Sequence, residues 1–231
     1  MSSEVILLAG GSGTRMRGAV EDKLLADLAG MPVLLRSIRA FVETKAFSRF
    51  IFVCRDDDQE TAIRALVDGM ELVDVAFTRG GVERADSVRA GLAVLSADAA
   101  YVAIHDGARP LITSGTILAA LELTRADGAV VVGRRVTDTI KRIPADGSTA
   151  QVVLEDLDRS RIWAMETPQI FRRELIEEGY SDRSVLLTDD AAAVARLGHG
   201  VTIFENEYPN PKITRPEDLA WAAHLLDSAK I

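Results

Sequence analysis

Short apolar runs alternate with amphipathic stretches along this chain, and that alternation restricts the fold more than any other feature. Runs 5–8, 50–54, 72–77, 101–104, 129–132 and 201–205 have the length and residue types of strands, and the chain returns to the domain through 162–171. Between them, 34–44, 59–67, 84–95, 113–125, 173–178, 189–197 and 216–229 read as helices. In the first of these, Leu34, Leu35, Ile38, Phe41 and Val42 recur at helical spacing. Thr113 stands where an N-cap is needed, and Thr214-Arg-Pro-Glu217 matches a capping box with proline near the first helical position. Strands that alternate with helices imply an α/β fold with a doubly wound, mostly parallel, Rossmann-like sheet. Ligands of such sheets gather outside the carboxyl ends of the strands.

The alternation breaks after Gly133. Segments 136–143 and 151–156 read as two strands around Pro144-Ala-Asp-Gly147, and Asp146-Gly147 is a strong turn dipeptide. A hairpin inserted in an α/β domain has little core of its own, and an exposed strand pair is marginal alone. It is therefore expected to pack on a second subunit, as an arm at about 135–158 of a single domain spanning 1–231.

Composition narrows the function classes. With 231 residues, 48% of them hydrophobic, the chain can bury a core. The net charge of -8 argues against a broad nucleic-acid-binding face, which would be basic. No apolar stretch approaches the ~20 residues of a membrane span, and the start carries no signal-peptide pattern. The single cysteine, Cys54, cannot form an internal disulfide, which suits a reducing, cytoplasmic setting. Its place in an apolar run suggests a small buried side chain.

Four segments could carry chemistry. Leu8-Ala-Gly-Gly-Ser-Gly-Thr-Arg-Met16 follows the first strand; its glycines let backbone N–H groups approach an anion, and Arg15 adds a positive charge. A tight turn without ligand has the same local pattern, and the loop lacks the Gly-Lys-Ser/Thr of a P-loop. Lys23 could join Arg15 in neutralising charge during phosphoryl transfer, or be a solvated lysine. Gly80-Gly-Val-Glu-Arg-Ala-Asp-Ser87 could present backbone groups and Ser87 to a base or ribose, or form a turn and helix cap. His105-Asp-Gly-Ala-Arg-Pro110 leaves a buried strand. Asp106 there could bind a metal or sugar hydroxyls, or form a structural salt bridge with Arg109; His105 reads as structural.

Taken in order, the glycine loop with Arg15, Glu83-Arg-Ala-Asp-Ser-Val88, His105-Asp-Gly-Ala-Arg-Pro110, Asp138-Thr-Ile-Lys-Arg142, Asp158-Arg-Ser-Arg161, Glu166-Thr-Pro-Gln-Ile-Phe171, Thr188-Asp-Asp-Ala191 and Lys212-Ile-Thr-Arg-Pro-Glu-Asp-Leu219 cover essentially the whole chain. Together they resemble the 2-C-methyl-D-erythritol 4-phosphate cytidylyltransferases of the non-mevalonate isoprenoid pathway. The resemblance implies a nucleotidyltransferase fold and transfer of CMP from CTP to the polyol phosphate with release of pyrophosphate. It also implies a divalent cation, usually Mg²⁺, and a homodimer joined through the arm.

Residue by residue, the resemblance implies that Ala9, Gly10, Gly11, Ser12 and Gly13 line the CTP site, and that Arg15 and Lys23 stabilise charge at the α-phosphorus. Gly81 and Ser87 would contact cytosine, with Ala85 and Asp86 beside them. Asp106 and Gly107 would sit by the ribose and metal, and Lys212 by the substrate phosphates. Thr139, Arg159 and Thr188 would hold the polyol phosphate, with Asp106 on its hydroxyls and Thr167 near the same pocket. Thr139 and Arg159 would serve the partner's site. The chain departs from the family pattern at Leu8, where proline is common, and at Asp22-Lys23-Leu24, where Pro-Lys-Gln is frequent. Val82, Gly107 and Pro211 are further departures; none removes a charged group. Ribitol-5-phosphate cytidylyltransferase, with the same chemistry, and a catalytically silent nucleotide-binding protein are the alternatives. A dinucleotide-dependent oxidoreductase would use an acid among residues 56–58, but the glycine spacing fits it poorly.

Overall fold

The computed structural model describes residues 2–10, 22–70 and 72–229. In chain order the elements are β1 (Ser2–Leu8), β2 (Asp27–Leu28), β3 (Met31–Pro32), α1 (Val33–Thr44), β4 (Arg49–Cys54), α2 (Asp57–Val67), β5 (Val75–Arg79), α3 (Arg84–Leu92), β6 (Ala99–Asp106), α4 (Ser114–Asp127), β7 (Ala129–Arg135), β8 (Lys141–Arg142), β9 (Glu155–Asp156), β10 (Trp163–Arg172), α5 (Arg173–Gly179), α6 (Asp190–Ala195), β11 (Thr202–Glu205) and α7 (Pro216–Ala229). Seven strands form one sheet in the order β11-β7-β10-β6-β1-β4-β5. β10 runs antiparallel to β6 and β7, and the remaining neighbours are parallel. This is the expected α/β, mostly parallel sheet.

Both faces of the sheet are covered, which is why its central strands are continuous apolar runs rather than alternating ones. Along β1 and β4, Val5, Leu7, Phe50 and Phe52 enter one core with Leu34, Ile38 and Phe41 of α1 and Ile117 and Leu121 of α4. The intervening Ile6, Ile51 and Val53 enter the other with Val88 of α3, Ile176 of α5 and Val194 of α6. Cys54 ends β4 fully buried, and burial, reinforced by Glu60, pushes its thiol up to about 12. That leaves it without thiolate character at neutral pH. Among the described residues no helix is long and apolar enough to cross a membrane.

Several local expectations shift. The edge strand begins at Val75, not at residue 72, and Val73 is 79% exposed, so hydrophobicity alone misplaced its start. The β2–β3 ribbon was not foreseen, because two-residue strands carry no periodicity. Thr113 does cap α4, its Oγ1 accepting from Thr116 N–H at 3.1 Å. The capping box of α7 is displaced by one residue. Asp218, rather than Glu217, reaches back, accepting from Thr214 N–H (2.7 Å) and Arg215 N–H (2.8 Å).

The arm pairs over a shorter span than expected. Only Lys141–Arg142 and Glu155–Asp156 form strands, tied across the ribbon by Lys141–Asp156 and by Arg142–Glu155 at 3.1 Å. Gly147 turns the chain with φ 74°, donating its N–H to Pro144 O at 3.0 Å. No residue from 134 to 161 is buried. Ile143, Val153 and Leu154 are all exposed apolar side chains in this segment.

Candidate active site

Ala9 and Asp22, the described residues to either side of the glycine segment, are joined by one buried side chain. Asp56 caps α2 by accepting from Gln59 N–H at 2.8 Å, which turns Gln59 inward. Gln59 Nε2 then donates to Ala9 O (3.1 Å) and to Asp22 Oδ2 (2.6 Å), while its Oε1 accepts from Arg55 N–H (2.7 Å). Asp22 Oδ1 accepts from Leu24 N–H at 2.9 Å. The next residue after Asp22 is Lys23, whose Nζ donates to Ile213 O at 3.1 Å. Gly11, Ser12, Gly13 and Arg15 lie outside the described residues.

The α3 loop approaches from the neighbouring strand end. Gly81 is required there by close packing: a Cβ would lie 2.2 Å from Cβ of Asp86. Gly81 N–H donates to Ser87 Oγ at 3.3 Å, and Asp86 Oδ2 accepts from Glu83 N–H at 3.4 Å, so the turn and the helix start lock one another.

At the carboxyl end of β6, Asp106 is buried among cations. Its Oδ2 accepts from Lys212 Nζ at 2.7 Å and lies 3.8 Å from Arg109 Nε; its Oδ1 accepts from Arg84 Nε at 3.4 Å. Burial alone would raise its pKa, but Lys212, Arg84 and Arg109 override it and hold the carboxyl below the usual carboxylate range. Asp106 is therefore a fixed negative charge at neutral pH.

Arg84 has a second, stronger partner. Its two terminal nitrogens donate to Asp190 at 2.8 and 2.7 Å, and Tyr180 Oη donates to the same carboxylate at 2.6 Å. Asp190 is fully buried. Burial works against the Arg84 charge, yet Asp190 and Asp106 together raise its pKa above the ordinary value.

Beneath Asp106 lies a neutral relay. Asp106 N–H donates to Thr167 Oγ1 at 3.0 Å, which is 3.0 Å from His105 Nδ1; His105 Nε2 is 3.3 Å from Arg109 O. A carbonyl only accepts, so Nε2 carries the proton and Nδ1 accepts from the threonine hydroxyl. Burial pushes the imidazole down to about 3. His105 is thus a structural strut, as its sequence setting suggested. Glu166, buried one residue before Thr167, accepts from Asn206 Nδ2 (3.1 Å) and Asn210 Nδ2 (3.3 Å). Asn210 also donates to Thr167 O, and its own O accepts from Arg109, so the loop after β11 is anchored beside Lys212.

These elements enclose a cleft of about 390 Å³. Ala9, Gly10, Lys23, Gly81, Ser87, Asp106 and Lys212 line it together, with Arg84 and Arg55. Other sequence candidates sit around it. Gly107 has both backbone groups engaged, donating to Leu8 O and accepting from Ser37 Oγ. Thr167 is buried under the floor. Thr188 is exposed on the turn before α6. Thr139 and Arg159 stay on the arm, Arg159 donating to Thr137 O at 2.7 Å, and neither lines this cleft. Arg84, Asp190, Gln59 and Asp22 were not singled out from sequence. Asp190 follows Asp189, which is the helix cap (2.9 Å to Ala192 N–H), and an acidic doublet at a helix start reads as capping alone.

A cleft lined by Ala9 and Gly10, with a carboxylate fixed among three cations, suits a polyanionic ligand. The sequence model of the 2-C-methyl-D-erythritol 4-phosphate cytidylyltransferase family matches residues 4–228. The chloroplastic protein of that name from Oryza sativa subsp. japonica is 37% identical over 229 residues, covering 98% of this chain and 75% of the relative. Its namesake from Dehalococcoides mccartyi is 36% identical over 225 residues, covering 97% and 96%. The crystal structure of 4-diphosphocytidyl-2C-methyl-D-erythritol synthase from Anaerococcus prevotii matches with a TM-score of 0.84 at 25% identity, covering 98% of both chains. On these matches the chain belongs to the 2-C-methyl-D-erythritol 4-phosphate cytidylyltransferase family.

Proposed function

We propose that this chain transfers CMP from CTP to 2-C-methyl-D-erythritol 4-phosphate, giving 4-diphosphocytidyl-2-C-methyl-D-erythritol and pyrophosphate, in the synthesis of isoprenoid precursors. The observation that carries the reading is the cleft in which Gly10, Lys23, Gly81, Ser87, Asp106 and Lys212 meet. Ala9 to Gly13 cradle the triphosphate, Gly81 and Ser87 face the cytosine with Ala85 and Asp86 behind them, and Asp106 with Gly107 lies by the ribose. The polyol phosphate oxygen is already anionic near neutral pH, so no general base is needed. It attacks the α-phosphorus in line, a P–O bond forms, and the bond to pyrophosphate breaks. Arg15, Lys23 and Lys212 neutralise the charge that accumulates, which is catalysis by position and electrostatics.

A divalent cation such as Mg²⁺ fits this site as a companion of the substrate. Among the described residues no group of three or more potential ligands converges. Mg²⁺ is commonly held by one or two carboxylates plus substrate phosphates, and Asp106 would supply one carboxylate. The cation would neutralise phosphate charge.

The acceptor side draws on two chains. Thr188, Thr167 and Asp106 belong to one protomer, while Thr139 and Arg159 reach from the partner's arm. An arm with no buried residue of its own and with Val153 90% exposed is suited to a homodimer contact. Val153→Asp with Leu154→Asp is expected to yield monomers by light scattering and to lose activity; an active monomer would refute the arm's role. Arg159→Ala is expected to raise the Michaelis constant for the polyol phosphate about 10-fold, the scale of one charge-assisted hydrogen bond, with CTP affinity unchanged. A constant equal to wild type would remove Arg159 from the site.

The deciding assay supplies CTP with each polyol phosphate and reads pyrophosphate. Turnover of the methylerythritol substrate supports the proposal. Turnover of ribitol 5-phosphate alone would replace it, and no pyrophosphate with either would point to a silent nucleotide-binding protein.

A further inference from the structure

Arg84 holds two parts of the molecule at once. Through Asp190 it grips the first turn of α6, and through Nε it touches Oδ1 of Asp106 at 3.4 Å. The turn it grips carries Thr188, two residues before Asp190. Gln169 holds the same turn from the other side, donating to Asp189 Oδ2 at 3.1 Å and accepting from Ala191 N–H at 2.7 Å. Tyr180 Oη completes the cage around Asp190. A fully buried carboxylate answered by a bidentate guanidinium and a phenol has one arrangement, so the Arg84 plane is set by Asp190 rather than by the cleft. Its Nε–H is thereby aimed at Asp106.

We infer that Arg84, pinned by Asp190, is a positioning residue that sets Asp106 and the Thr188 turn in register, aligning the polyol phosphate with the bound nucleotide. The inference rests on the proposed transferase reading, in which Asp106 serves both substrates. Lysine cannot replace this arrangement. A single ammonium can keep the charge opposite Asp190 but cannot form the fork and reach Asp106 together. A misplacement near 1 Å in a reacting constellation can cost about 100-fold.

The test compares wild type, Arg84→Lys and the double variant Arg84→Gln/Asp190→Asn, which removes both buried charges so that neither is left unpaired. CTP affinity is measured by calorimetry, turnover with methylerythritol phosphate by pyrophosphate release per active site, and folding by thermal melting. Both variants are expected to fold and to bind CTP within about 3-fold of wild type. Their kcat/KM for the polyol phosphate should fall roughly 10- to 100-fold, with kcat contributing to the loss. Wild-type kcat/KM in the folded Arg84→Lys protein would overturn the inference. So would a lowered melting temperature with unchanged turnover per active site, which is what a purely structural ion pair predicts. A wild-type protein that turns over neither polyol phosphate would overturn the transferase reading itself, and this inference with it.

Discussion

Lys23→Ala is expected to slow cytidylyl transfer about 100- to 1,000-fold, the scale of removing one preorganised charge from a developing oxyanion. The fold is expected to tolerate the change. Lys23 is partly exposed at the rim of the cleft, and its hydrogen bond to Ile213 O is worth only about 1 kcal/mol. CTP binding should weaken less than turnover does, because on the proposed reading the charge Lys23 answers is largest in the transition state. Steady-state rates beside a urea melt check this. A variant with wild-type kcat, or one whose lost activity tracks lost stability, would remove Lys23 from the chemistry. Arg15→Ala is expected to behave in the same way.

Acid is expected to destabilise the chain through His105 before most carboxylates titrate. The folded imidazole has its pKa pushed down to about 3 by burial, while the unfolded one titrates near its ordinary 6.5. Below that pH the unfolded chain takes up a proton that the folded chain refuses, so the stability contributed by the neutral ring is complete above about 6.5 and is lost as pH falls. The slope is about 1.4 kcal/mol per pH unit, a loss on the order of 2–3 kcal/mol by pH 4.5. Asp106, depressed by its cations, adds a second loss that starts only below about pH 4. His105→Gln keeps a donor and an acceptor between Thr167 and Arg109 but cannot take up the proton. It should be less stable at pH 7, since the ring packs edge-on against Phe41 at 5.2 Å. Its denaturation midpoint should then fall less between pH 7 and pH 4.5 than that of wild type. Parallel declines would show that His105 does not carry the acid sensitivity.

How the active region was legible differs from residue to residue. Gly81 stood out because a Gly-Gly pair before a polar helix start is a turn signal, and the close approach of Asp86 is the reason glycine is needed. Asp106 stood out as a carboxylate at the end of an apolar strand. Gln59 did not, because a glutamine in the first turn of a helix usually faces water; here the Asp56 cap points it at the loop. Lys212 was recognised only through the resemblance, and its ion pair with Asp106 spans 106 residues of sequence.

The sequence by itself determined the order of strands and helices, the two-sided burial of the central sheet and the family. Each follows from local apolar patterning or from motifs in series, which a linear string records directly. Only the tertiary structure decided which charges neutralise one another. Arg84 could have paired with any of many carboxylates, and Asp190 reads as a helix-cap neighbour until the fold buries it. A buried charge must find a partner, and the fold chooses it by bringing the first turns of α3 and α6, 106 residues apart in the chain, within hydrogen-bond distance. The antiparallel pairing of β10 with β6 likewise sets Thr167 against His105 beneath Asp106.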